Sequence, residues 1–208
     1  MARIETTDTS VRLVERRESD GYWVVRWDFK PKPNADGVYW YEEESYNWIP
    51  TIEDVQTTIV SWYNKQTDGI IQHGFEWKGI NVLLNDENKF NYKAITDEAA
   101  RRETAIAIWD KEHPTLAGMD IIYVNGVDEE GNTVGRYEPT GRPKSLLPIT
   151  LKLGENNIPE NFYLFTNMTE LQEFFSAGVD HLLGAYASGW TKIATFDWTP
   201  YIKALEEL

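Results

Sequence analysis

The chain has 208 residues, a formal net charge of −14 at pH 7 and no cysteine. The missing cysteines exclude disulfides, thiolate metal sites and cysteine nucleophiles, and the acidic excess argues against nucleic acid as a partner, since binding a phosphate backbone requires clustered lysines and arginines. The hydrophobic content of 41% is sufficient for a core, but no apolar run reaches membrane-spanning length, so neither membrane insertion nor a cleaved signal peptide is expected.

The first 50 residues form a predicted β-rich N-terminal segment, with strand-like patterns over 11–17, 22–29 and 38–41. Large aromatic side chains recur along it, and five of them are candidate partner contacts: Trp23, Trp27, Tyr39, Trp40 and Tyr41. The acidic run Glu42–Glu44 is predicted to be solvated charge at a strand edge, with a cation site as the alternative.

A first helix is predicted over residues 52–68. Thr51 is a suitable N-cap, Asp54 stands in the capping-box position, and Gly69 marks the expected end. The polar residues 64–67 are interpreted as the last, capping turn of this helix in preference to a binding group.

Residues 74–106 are predicted to form a tight β-hairpin that continues directly into a helix. Phe75 and Trp77 alternate with a polar residue, and Lys78-Gly79 is a two-residue turn in which glycine supplies a positive φ. Asn85 is in position to cap the helix that follows.

The stretch from residue 110 to 145 is a predicted insertion that is rich in glycine and proline. Ile121–Val124 and Thr133–Tyr137 are expected to pair across the turn at Asp128–Asn132 as a protruding hairpin. Such a segment is either a functional loop or a tolerated surface insertion. Tyr123 and Tyr137 complete the candidate partner contacts.

Two further strands, over residues 146–154 and 161–166, precede a long helix that Thr169 is expected to cap and Gly189 to end. A last short helix is expected to begin near Asp197 or Thr199. The order strand–turn–strand–helix thus occurs at 74–106 and again at 146–188. We expect an α+β fold in which these two β-hairpin–helix units share an antiparallel sheet with helices on one face. The expected domains are the β-rich segment 1–50 and a core domain 51–208.

No catalytic constellation of useful specificity is found in the sequence. The local motifs of zinc hydrolases, serine hydrolases and phosphate-binding loops are missing, and the three histidines lie in unrelated contexts. With 34 acidic residues, neighbouring carboxylates carry little information, and the candidates for glycan hydrolysis are the loop acids Asp110, Asp120 and Asp128. We therefore predict no catalytic residues, no metal ligands and no cofactor.

Six short phrases of the sequence carry a family resemblance: Trp62–Asp68, Gly74–Gly79, Asn88–Ala94, Leu147–Lys152, Gly189-Trp190 and Asp197-Trp198. Together they resemble an uncharacterised domain of bacteriophages and prophages of gut Bacteroidetes, including crAss-like phages, which is often associated with tail-fibre or other virion proteins. The resemblance covers residues 48–206 and departs from the family pattern at 110–145, where members pass more directly from helix to strand. It implies no catalytic residues.

The resemblance favours a non-enzymatic bacteriophage protein, either a structural component of the virion or tail fibre or an assembly factor, that acts through protein–protein contacts. Its partners would be other virion or tail proteins or a second copy of the chain, and its location the virion or the host cytoplasm during assembly. One alternative is a carbohydrate-binding module that stacks a host surface glycan on tryptophans and tyrosines of the N-terminal segment. The other is a cryptic glycan hydrolase.

Overall fold

The computed structural model describes residues 1–8 and 10–208 and confirms the α+β class. Within those residues the strands are β1 (Ala2–Thr6), β2 (Val14–Arg16), β3 (Trp23–Pro31), β4 (Tyr39–Tyr46), β5 (Phe75–Trp77), β6 (Ile80–Val82), β7 (Ile121–Val127), β8 (Thr133–Pro139), β9 (Ile149–Lys152) and β10 (Phe162–Phe165). The helices are α1 (Ile52–His73), α2 (Asp86–Glu112), α3 (Met168–Ala194) and α4 (Thr199–Glu206), with a short 3-10 helix at Pro159–Asn161.

The chain divides into two compact units, which do not follow the predicted boundary at residue 50. The first unit comprises Met1–Gly69 and Ala185–Leu208, and the second comprises Ile70–Gly184. The N-terminal strands therefore belong with the first part of α1 and with the C-terminal residues, whose apolar side chains complete their core. Both boundaries between the units fall inside a helix.

The first unit is built on an antiparallel sheet with the strand order β1-β4-β3-β2. Strand β1 was not predicted from the sequence. Trp27 lies at the centre of the core and meets Trp62 of α1 edge to face, with ring centroids 6.2 Å apart. Tyr201 of α4 is buried in the same core and donates a hydrogen bond from its hydroxyl to the Arg26 carbonyl, at 2.9 Å.

The acidic run on β4 is not solvated edge charge, so this expectation was wrong. Strand β4 lies inside the sheet, and Glu42 and Glu43 are buried. Arg26 of β3 donates to Glu43 at 2.7 Å, and Arg3 of β1 donates to Glu42 at 2.7 Å. These arginines compensate the buried carboxylates, but they stand 17 and 39 residues away in the sequence.

The second unit contains both predicted β-hairpin–helix segments, but their hairpins form separate sheets. Strands β5–β6 and β9–β10 are two-stranded sheets linked by a backbone hydrogen bond from the Leu83 amide to the Leu153 carbonyl, at 3.1 Å. The two segments nevertheless share one interior around Phe174 of α3. Its ring centroid lies within 5.2–5.9 Å of four others, those of Phe75, Trp77, Tyr92 and Phe165.

Two of the predicted helix caps are confirmed, whereas two predicted helix ends and one cap are wrong. The Thr51–Asp54 capping box forms, and Asn85 accepts from the Asn88 amide at 2.8 Å. Helix α3 begins at Met168 with its cap from Asn167, which accepts from the Glu170 amide, so Thr169 lies inside the helix. Helix α1 continues past Gly69, and α3 continues past Gly189.

Candidate interaction surfaces

The seven candidate contact residues fall into three groups by exposure. Trp27 and Tyr41 are buried, so the structure removes them from any contact surface. Trp23, Tyr39 and Trp40 are partly buried, whereas Tyr123 and Tyr137 are exposed. Three of the five named aromatic side chains of the N-terminal segment therefore remain partly accessible.

The two exposed tyrosines lie opposite each other on the hairpin β7–β8. Tyr123 and Tyr137 are register partners, and their rings meet edge to face with centroids 5.2 Å apart. Their exposed fractions are 60% and 72%. The predicted hairpin is thus confirmed, and it presents an aromatic pair to solvent.

The hairpin carries further apolar surface and has open edges. Neither β7 nor β8 pairs with another strand of the described chain. The other large apolar side chains exposed on the hairpin and beside it are Met119, Ile121, Val127 and Val134. Exposed apolar side chains on unpaired strands are typical of surfaces that bind another chain.

Glycine and tyrosine fix the local shape of the hairpin. A Cβ at Gly135 would lie 1.6 Å from the Tyr123 hydroxyl oxygen, so the Tyr123 ring lies directly over this residue. Any side chain at residue 135 would displace the ring. The absence of a side chain at Gly135 therefore leaves the space that the Tyr123 ring occupies.

The base of the hairpin is fastened to α2 by an arginine. Arg142 donates to both carboxylate oxygens of Asp110, at 2.8 and 2.9 Å, and also reaches Asp120 at 3.3 Å. These hydrogen bonds from Arg142 hold the pKa of Asp110 below its ordinary value. The Thr140 hydroxyl donates to the Met119 carbonyl at 2.7 Å and closes the base from the other side. These hydrogen bonds therefore fix the position of the base of the hairpin.

The three loop acids proposed for glycan hydrolysis have structural partners. Asp110 and Asp120 bind Arg142, while Asp128 lies in the hairpin turn and accepts from the Asn132 amide at 2.7 Å. Asp128 is thus at the tip, while the other two acids lie at the base. The described residues also contain no cluster of three or more histidines and acids that could hold a metal ion.

A small cleft in the first unit was not predicted from the sequence. It is lined by Asn64, Thr67 and Asp68 of α1 and by Tyr186 and Trp190 of α3, and it encloses about 280 Å³. The polar residues 64–67 are predicted to cap the helix, but α1 continues to His73, and Asn64 and Thr67 line the cleft instead. The sequence signal for this cleft was a set of exposed polar residues one turn apart on α1. The sequence did not show which helix would lie opposite them.

A second, apolar crevice lies between α2 and α3 in the second unit. It has a volume of about 170 Å³ and is lined by Leu84, Tyr92, Phe174 and other apolar side chains, with the stems of Lys89 and Lys93 at its rim. Each lysine pairs with an acid on its own helix, Lys89 with Asp86 and Lys93 with Asp97. Those ion pairs leave the crevice without a free polar group.

No protein-family model matches the sequence, and neither a curated protein nor a solved structure does. The resemblance to a phage domain therefore stays a prediction. Among the described helices, none has both the length and the apolar character needed to cross a membrane. Geometry and surface chemistry carry the functional proposals that follow.

Proposed function

We propose that this chain is a non-enzymatic bacteriophage protein, a component of the virion or tail fibre or an assembly factor for it, that binds another protein chain through the hairpin β7–β8. The observation that carries the proposal is the exposed pair Tyr123 and Tyr137 on a hairpin with two unpaired edges. The phage origin is taken from the sequence resemblance.

The chemistry of the hairpin suits a protein partner. An unpaired edge offers backbone amide and carbonyl groups, with which an extended segment of another chain can form a further strand. Tyrosine is enriched at the energetic centres of protein interfaces, because its ring buries a large area while its hydroxyl still finds a hydrogen bond. The partner is another virion or tail protein or a second copy of the chain.

The fastened base favours binding for a thermodynamic reason. Ordering a mobile loop during binding costs free energy and weakens association. A surface that is already ordered avoids this cost and binds more tightly. The Arg142–Asp110 pair orders the base of the hairpin before any partner arrives.

Mass spectrometry of purified particles and assembly intermediates tests the proposed role. We expect the chain in at least one of the two fractions, and in that fraction we expect the double variant Tyr123→Ala, Tyr137→Ala to be depleted at least about tenfold, the loss typical of truncated interface centres. Phe90→Ala is the matched control, since Phe90 is an equally exposed aromatic residue (72%) on α2. Absence of the wild-type chain from both fractions, or equal depletion of the control, would contradict the proposal.

A further inference from the structure

The cleft in the first unit has an aromatic wall made by two residues one turn apart on α3. Tyr186 and Trp190 stack nearly parallel, with ring centroids 5.5 Å apart and planes at 15°. Trp190 is still 63% exposed, because Tyr186 covers only part of it. The stack fixes the orientation of a large aromatic surface that remains open to solvent.

The opposite wall of the cleft is polar. Asn64 and Asp68 are four residues apart on α1 and so lie on the same helix face. Neither side chain has a hydrogen-bond or ion-pair partner among the described residues, whereas the Thr67 hydroxyl between them donates to the Tyr63 carbonyl at 3.0 Å. The cleft therefore offers one amide and one carboxylate to a ligand.

A glycine brings the two walls together. A Cβ on Gly189 would lie 2.2 Å from the Thr67 hydroxyl oxygen, a distance that real side chains do not show. The close approach of the C-terminal part of α3 to α1 within the first unit therefore depends on this glycine. With a larger residue the aromatic and polar walls would move apart.

From these features we propose that the cleft binds one ring of a neutral glycan. A pyranose ring has a face of C–H groups that packs on an aromatic face, and a rim of hydroxyls that both donate and accept hydrogen bonds. The exposed ring of Trp190 can pack against the C–H face of the sugar. The Asp68 carboxylate can accept hydrogen bonds from the hydroxyls, and the Asn64 amide can both donate and accept them. This site differs from Trp23, Trp27 and Trp40, which are buried or partly buried, and it is independent of the hairpin function.

The size and charge of the cleft restrict the class of ligand that it can bind. A volume of about 280 Å³ lies near the lower limit of roughly 300 Å³ for small-molecule sites, so the cleft accommodates one sugar ring. The Asp68 carboxylate and the net charge of −14 disfavour sialylated, sulfated or uronic acid units. A methylated ammonium group is the competing ligand, but two stacked rings present a single face and not an enclosing cage.

Binding to an array of immobilised neutral and acidic glycans tests the proposal, since dense display raises weak single-ring affinities through avidity. We expect the wild-type chain to bind neutral glycans, and Trp190→Ala to lose at least about tenfold of that signal. Asp68→Asn should weaken binding by a smaller factor, because an amide still accepts one hydrogen bond. The control is Trp48→Ala, a second exposed tryptophan of the same unit, which should bind as the wild type does.

Four outcomes would overturn the proposal. These are no bound neutral glycan, binding to acidic glycans alone, an equal loss in Trp48→Ala, and competition by tetramethylammonium. Thermal unfolding of each variant distinguishes a lost site from a lost fold. The double hairpin variant Tyr123→Ala, Tyr137→Ala should bind the array normally, so that failure of the glycan site and failure of the hairpin function are told apart.

Discussion

Gly189 of α3 lies directly against Thr67 of α1 within the first unit. A glycine inside a helix is destabilising relative to alanine by roughly 0.5–1 kcal/mol, so its presence here requires a compensating reason. That reason is space, because Thr67 occupies the position that a side chain would need. Gly189 therefore lowers the helix propensity at this position but allows α3 to contact α1.

Gly189→Ala is expected to lower the free energy of unfolding by about 1–3 kcal/mol, the usual result of adding a methyl group to a filled site. Gly184→Ala is the matched control in the same helix, since its Cβ would meet nothing within 4 Å. That variant should raise the free energy by about 0.5–1 kcal/mol through helix propensity. Urea unfolding followed by circular dichroism measures both, and a stabilising Gly189→Ala would contradict the packing argument.

Arg26 is the principal cation of the buried charges in the first sheet. Its guanidinium donates to Glu43 at 2.7 Å and to Glu15 at 2.6 Å, and its side chain is 6% exposed. Arg26→Met is expected to cost about 3–5 kcal/mol of unfolding free energy, because Glu43 stays buried with less compensation. Lys32→Met, which leaves only the half-exposed carboxylate of Glu5 unpaired, should cost less than about 1 kcal/mol in the same urea titration. Equal costs would show that burial does not decide the effect.

The hairpin β7–β8 depends on the ion pair at its base, and this dependence can be tested through pH. Arg142 lowers the pKa of Asp110 below the ordinary value of 3.8. Because the folded-state pKa is the lower one, the pair stabilises the folded chain above the ordinary value, and this contribution is lost as pH falls through the lowered pKa.

Carboxyl ¹³C NMR titration of the wild type and of Arg142→Gln measures the effect directly. The pKa of Asp110 should rise towards its ordinary value in the variant, since the hydrogen bonds from Arg142 that favour the carboxylate are gone and that from the Gly118 amide remains. Glu98 is the internal control, because Arg101 and Arg102 lower its pKa to about 2 and neither is changed. An unaltered Asp110 pKa in Arg142→Gln would show that the pair does not form in solution.

Among the helices and strands, several features that depend on neighbouring residues were predicted from the sequence, whereas features that join distant residues were not. The Thr51–Asp54 capping box and the Lys78-Gly79 turn depend on neighbouring residues, and both form as predicted, the turn with φ of 46° and 83°. Gly69 and Gly189 are predicted helix ends, but neither has the positive φ of a glycine that ends a helix. Gly74, with φ of 75°, is the residue that follows the end of α1.

Two of the missed features join residues that are distant in the sequence. The burial of Glu43 depends on arginines at residues 17 and 26, and the cleft at Trp190 depends on α1 more than a hundred residues earlier. Neither could be found from spacing or composition. Tyr123 and Tyr137, in contrast, lie on one hairpin with a clear turn, so the hairpin that carries them followed from local pattern.

The whole molecule presents two surfaces in two different units. The hairpin with its tyrosine pair belongs to the second unit, whereas the cleft at Trp190 belongs to the first. Each surface is made by residues of its own unit, so substitutions at one are expected to leave the other intact. The net charge of −14 favours solubility and disfavours acidic glycans at the cleft.

Site-specific photo-cross-linking most directly tests whether the hairpin is the protein contact. A benzophenone amino acid replaces Tyr137 in one chain and Phe90 in another, two aromatic residues of equal exposure in the second unit. After irradiation of particles or assembly intermediates, residue 137 should give a discrete cross-link to one virion protein or to a second copy of the chain, and residue 90 should not. No discrete cross-link from residue 137, or the same product from residue 90, would contradict the assignment of the hairpin.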